Sequence, residues 1–168
     1  MECPIGGNHG TWDNRPAVAS HTLATLAYRA GKALRGAPAS FAGFSSGEKG
    51  RTPAEILAHM GDLFDWALAI CKGAQTWNDS KPLPWNQEVE RFFRAVQTFD
   101  DYLASDAPLG YPAEKLFQGS IADALTHTGQ INMLRRMAGC PIKRENYFRA
   151  EITAGSVGPE QAAPAREF

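Results

Sequence analysis

The sequence has no paired cysteines. Its three, Cys3, Cys71 and Cys140, lie far apart with no CxxC among them, which argues against a disulfide framework or a cysteine-rich zinc site and suits a reducing compartment. It also has no long apolar run. No stretch approaches the roughly 18 continuous apolar residues that a membrane helix requires. The opening MECPIGGNHG lacks the basic-then-apolar pattern of a secretory leader. A cytoplasmic protein with no membrane partner is expected. Nor is there a surplus of either charge: 17 basic side chains stand against 18 acidic ones, for a net charge of −1. Phosphate binding normally needs a basic stripe or patch, so nucleic acid is not expected as a ligand. The short runs Arg135-Arg136 and Lys143-Arg144 read as solvated helix-end charges. Strand-length alternation, internal repeats, a phosphate loop and a serine nucleophile elbow are missing as well.

What the chain does have is helical periodicity in four segments, separated by Pro- and Gly-rich joints. With 168 residues, 43% of them hydrophobic and 21% charged, it is long enough for one domain with a real core. The first segment runs from about Pro16 to Leu34, with Ala19, Leu23, Leu26, Ala30 and Ala33 on one stripe. The second opens on Thr52-Pro53-Ala54-Glu55, a Thr-x-x-Glu capping box with proline at the first helical position, and stops near Gly73. The third, about Gln87 to Ala104, repeats Val89, Phe92 or Phe93, Val96, Phe99 and Leu103 at helical spacing. The fourth, about Ala113 to Ala138, ends at Gly139-Cys140-Pro141. The fold class expected is all-α, a four-helix bundle over residues 1–150, with a long crossover loop after the first helix. In the tail, 151–168, the last residues are expected to fray, while Tyr147 and Phe148 just ahead of it pack back on the body.

Two of these helices carry ionisable residues in the wrong place. On the buried stripe of the second, Ile56, His59, Leu63, Trp66 and Ile70 recur at spacings of three and four. The fourth helix gives Leu116, Ser120, Asp123, His127, Gln130 or Ile131, and Leu134 on the same rhythm. Asp123 and His127, four apart, project from one face. A carboxylate buried alone is costly, and its remedies are protonation, a charged partner or a metal. Two imidazoles and a carboxylate match the ligand set of mononuclear zinc or non-haem iron sites that keep positions open for water or substrate. On the residues alone a second reading stays open, in which Asp123 pairs with a protonated His59 or His127 and no metal is involved.

The pairing of ILAHMGDLFDWAL with IADALTHTGQINMLRRMAG resembles the DinB/YfiT-like superfamily, four-helix bundles regarded as metalloenzymes. The resemblance extends from the first helix to about Gly139. It implies one metal, held by a histidine of the second helix, matched by His59, and by a His-x-x-x-His pair of a later helix, whose last histidine is matched by His127. Asp123 stands where the pattern commonly has histidine. A carboxylate there hardens the site and favours manganese or iron over softer ions. The resemblance further implies a divalent transition metal (zinc, nickel, iron or manganese), a low-molecular-weight thiol as co-substrate, and S-transfer or hydrolysis on a small molecule, with a homodimer as the assembly. Asp62 and Gln130 are then candidates to orient the ligands from behind.

The rival expectation is a catalytically silent binding or dimerisation module, with Trp77, Trp85 and Phe41 as its partner face; otherwise these aromatics pack over the bundle end. Cys71 reads as a buried thiol beside the Ile70 stripe. His9 has no ligand-spaced partner, and neither has His21, which lies close enough to the start of the first helix to reach the mouth of the site.

Overall fold

The computed structural model describes residues 15–168. Helix α1 is Arg15–Leu34, α2 Pro53–Cys71 and α3 Trp85–Leu103. The fourth rod is composite: α4, Ala113–Leu116, runs through a π turn, Phe117–Ile121, into α5, Ala122–Met137. Among the described residues there is no strand, only an isolated antiparallel bridge between Glu145 and Glu167. None of the described helices is long and apolar enough to cross a membrane.

The helix ends form for local reasons. Thr52 Oγ1 accepts from the Glu55 N–H at 3.3 Å, and the Glu55 carboxylate accepts from the Thr52 N–H at 2.7 Å. This reciprocal cap, with Pro53 inside it, fixes where α2 starts and stabilises it by about 1 kcal/mol. At the far end of α5, Gly139 takes a φ of +74°, open to glycine without a Cβ penalty. The Cys140 N–H then reaches back to the Arg135 carbonyl at 2.9 Å, closing the helix in a Schellman turn.

Helix α1 packs chiefly on α3 and α5, and α2 on the same pair. The first two helices therefore stand diagonally across the bundle, and the segment joining them crosses its end. This is the long crossover expected from the loop length. Phe41, in the 3₁₀ turn Ala39–Gly43 of that segment, is buried edge-on against Trp85, with ring centroids 5.6 Å apart. These two aromatics close the bundle end and are not a partner surface. The centre of the core is Phe64, Phe92 and Phe99, with Leu23, Leu26, Leu57, Met60 and Val96 around them.

Several polar groups are buried with specific partners. Arg91 of α3 donates to Glu88, to Asp62 and Asp65 of α2, and to the Ala58 carbonyl. Gly61 makes room for it, since a Cβ there would stand 2.9 Å from Arg91 Nη1. Arg135, expected in solvent, is buried as well. Its Nε donates to the Cys140 carbonyl at 2.8 Å, and its Nη1 to the carbonyls of Ala33 and Arg35 at 2.9 and 2.8 Å. One guanidinium thus satisfies unpaired carbonyls at the C-terminal ends of α5 and α1. Arg136, Lys143 and Arg144 are exposed, as expected.

The final residues do not fray. The Asn146 N–H bonds the Arg166 carbonyl, and the Phe168 N–H bonds that of Arg144. Lys32 of α1 bridges Glu145 and Glu167 at 2.7 and 2.8 Å. Val157 is fully buried. Tyr147 packs edge-on against Tyr28, whereas Phe148 is 97% exposed, so only the first of that pair packs back.

Asp100 of α3 is buried, with Ser20 Oγ donating to its Oδ1 at 3.0 Å. Burial pushes its pKa up, opposed by the Ser20 hydrogen bond and helped by nearby Asp101. The folded state therefore holds the proton more tightly than the unfolded chain. The cost of the buried charge is absent below the unfolded pKa and fully present above the folded one. Asp100→Asn is expected to raise the melting temperature at pH 7. The gain should fade as pH falls into the carboxylate range; a melting series against pH that moves the other way would refute this.

Candidate metal centre

His59 sits midway along α2; Asp123 and His127 stand on α5 just past the π turn. Because α2 and α5 are neighbours, the three side chains meet. His59 Nε2 lies 3.5 Å from Asp123 Oδ2, and His127 Nε2 lies 3.5 Å from Asp123 Oδ1. All three ligand atoms fall within 4.8 Å of one another. Ligands about 2.0–2.2 Å from a tetrahedral ion are separated by about 3.3–3.6 Å, so both imidazole–carboxylate gaps already have a metal's spacing. The group could hold a divalent ion with only a small inward movement.

The second contact of His127 supports this use. Its Nδ1 lies 2.8 Å from Gln130 Oε1. An amide oxygen only accepts, so Nδ1 carries a hydrogen, and Nε2, the atom facing Asp123, is the one placed to ligate. Such an outward hydrogen bond is the usual way a ligating histidine has its tautomer and ring orientation set. Gln130 therefore takes the orienting position expected of it. Asp62 does not: both its oxygens are engaged by Ser80 and Arg91 on the α3 side.

Burial pushes the His59 pKa below the ordinary imidazole value. The neighbouring His127 and Arg51 act in the same direction, against the hydrogen bond and charge of Asp123. His59 is thus neutral at pH 7, with a lone pair to offer. Asp123 lies at the edge of the seam rather than inside it, its side chain 43% exposed against 19% for His59 and 11% for His127. That corrects the premise of a fully buried carboxylate. Water reaches Asp123, and its charge does not by itself demand a metal.

The surroundings divide in two. On one side Trp77 stands edge-on to His59 at 5.6 Å and to Trp66 at 6.2 Å, walling the site with indole. Elsewhere a groove of about 480 Å³ opens beside His127, lined by Arg51, Ile56, Met133, Leu134 and Met137 among others. Sequence reasoning put Ile56, Trp66 and Leu134 on the inward stripes but did not identify Arg51, Trp77, Met133 or Met137 as walls of the site. Arg51 and Trp77 lie in joints whose path no periodicity reveals. Met137, in contrast, continues the three–four spacing from His127 through Gln130 and Leu134, a signal that was legible.

The remaining candidates fall away from the site. Cys71 is buried and its thiol pKa is raised by that burial, the signature of an inert thiol. His21 is exposed on α1 and outside the ligand group. His9 and Cys3 lie outside the described residues. No protein family, curated protein or solved structure matches the chain.

Proposed function

We propose that the chain is a metal-dependent enzyme of the DinB-like kind, transferring a low-molecular-weight thiol to a small molecule or hydrolysing it. The observation that supports this best is the meeting of His59, Asp123 and His127 within ligand distance, with the Gln130–His127 contact turning Nε2 of His127 to the point where the other two converge.

The ligands would be His59, Asp123 and His127, and the ion zinc, nickel, iron or manganese. When bound, such an ion lowers the pKa of a coordinated thiol or water and supplies a nucleophile near neutral pH. The chain's own residues do the rest. The two imidazoles contribute neutral donors and Asp123 one negative charge, which leaves a net positive centre. Gln130 holds the His127 ring in place. The exposed flank of Asp123 and the groove beside His127 leave a path for substrate. Trp66 and Trp77 form an aromatic wall beside His59.

The test uses protein purified without a metal-chelating tag, stripped, and reloaded with each of the four ions in turn. It is assayed for conjugation of small thiols to an electrophile and for hydrolysis of activated esters. At least one ion is expected to raise one of these rates about a hundredfold above the stripped protein. No rate above the stripped protein with any ion, across both assays, would defeat the proposal.

A further inference from the structure

The groove beside His127 has a built-in preference that the metal group does not explain. Its volume, about 480 Å³, is that of a small-molecule site. Ile56, Leu134, Met133 and Met137 give it an apolar wall, and both methionines are more than half exposed there. Unbranched thioethers adapt their shape to an apolar guest. Among the described residues, Arg51 is the only permanently charged one in the lining, and it forms no salt bridge. Glu55 acts on Arg51 through its charge, but its carboxylate is turned to the Thr52 N–H and hydroxyl, at 2.7 and 2.9 Å. A guanidinium beside an apolar wall, with no carboxylate in contact, suits an anion with a hydrophobic body.

We propose that the groove takes the substrate as a small organic anion, its anionic group held by Arg51 and its apolar body lying across Met133 and Met137. The inference rests on the proposed metal chemistry for its meaning as a substrate site, while the binding preference can be measured without it. Arg51 acts here as a specificity residue: it sets which molecules dwell beside the ligands, and it does not itself react.

The experiment compares 4-phenylbutyrate with its neutral counterpart 4-phenylbutan-1-ol by calorimetric titration of the full chain. Metal-free and zinc-loaded samples are used, with zinc content measured in each. In metal-free protein the carboxylate is expected to bind about tenfold tighter than the alcohol. Arg51→Gln should erase that difference and leave alcohol binding unchanged. Met133→Ala with Met137→Ala, at exposed positions that spare the core, should weaken both probes. Equal affinity for acid and alcohol, a preference that survives Arg51→Gln, or no binding of either probe would overturn the inference. A protein that takes up no zinc yet keeps the Arg51-dependent preference would retain the groove and lose the metal chemistry. Zinc uptake without the preference would do the reverse.

Discussion

Replacing His127 with alanine is expected to lower the affinity for a divalent metal by well over a hundredfold while leaving the helix content intact. Removing an outer hydrogen-bond partner of a ligand already costs about 10- to 100-fold, and here a ligand itself is lost. The two that remain, His59 and Asp123, come from different helices and gain nothing from chelation within one turn. The fold should survive, because the His127 ring faces the groove and the centre of the core is built by Phe64, Phe92 and Phe99. Gln130→Ala is the graded control: it keeps all three ligands, frees the His127 ring to rotate, and should fall between wild type and the alanine variant. Elemental analysis and calorimetric zinc titration read both. Unchanged stoichiometry and affinity in the His127 variant would remove it from the ligand set.

The largest effect on stability is expected at Arg91. Asp62 and Glu88 are 2% and 0% exposed, and Arg91 is the cation that faces both. Arg91→Met keeps the aliphatic stem and removes the charge, leaving two carboxylates buried close together. Breaking a buried pair by deleting one partner costs about 3–5 kcal/mol. Urea unfolding should report a loss of that size. The triple variant Arg91→Met, Asp62→Asn, Glu88→Gln should recover much of it, because the added amides can keep accepting from Ser80 and the Leu83 N–H. A loss below about 1 kcal/mol in the single variant would mean that the cluster is not held by its charge balance.

Contrasting these two sites shows what a sequence can disclose about this fold. The capping box at Thr52 and Glu55 and the stop at Gly139 are legible because each is made within a few residues of chain. His59, Asp123 and His127 are legible because helical spacing places them on inward stripes, and two inward stripes of a bundle have few ways to avoid meeting. Asp62 was misread. Its partner Arg91 stands on another helix, and nothing in the local pattern of α2 indicates which loop or helix will reach it. Arg135 was misread for the same reason, since the carbonyls it satisfies at Ala33 and Arg35 are adjacent in the fold but remote in the chain. The depth of Asp123 was misjudged from a different cause. Its stripe was drawn with a plain α period through Leu116 and Ser120, but the chain widens into a π turn from Phe117 to Ile121. The wider turn shifts the register, so that Ile121 and Ala124 take the buried positions and Asp123 moves to the rim.

That π turn also governs how the chain can change length. Each residue of an α helix advances by about 100° around its axis, and a π turn absorbs one residue more than a plain turn would. Losing one residue between 117 and 121 would let the rod close up into regular helix. Everything after it would then keep its orientation relative to Leu116, because the residue lost is the extra one that the wide turn had absorbed. Leu116 would stay in the core and Asp123 and His127 would still face His59, whereas losing one residue of α5 between Asp123 and His127 would turn these two by about 100° from one another. A one-residue deletion at this point is therefore taken up without moving a ligand, as the same change in the crossover loop would be, whereas one in the regular turns of α5 is an on–off lesion for the metal group.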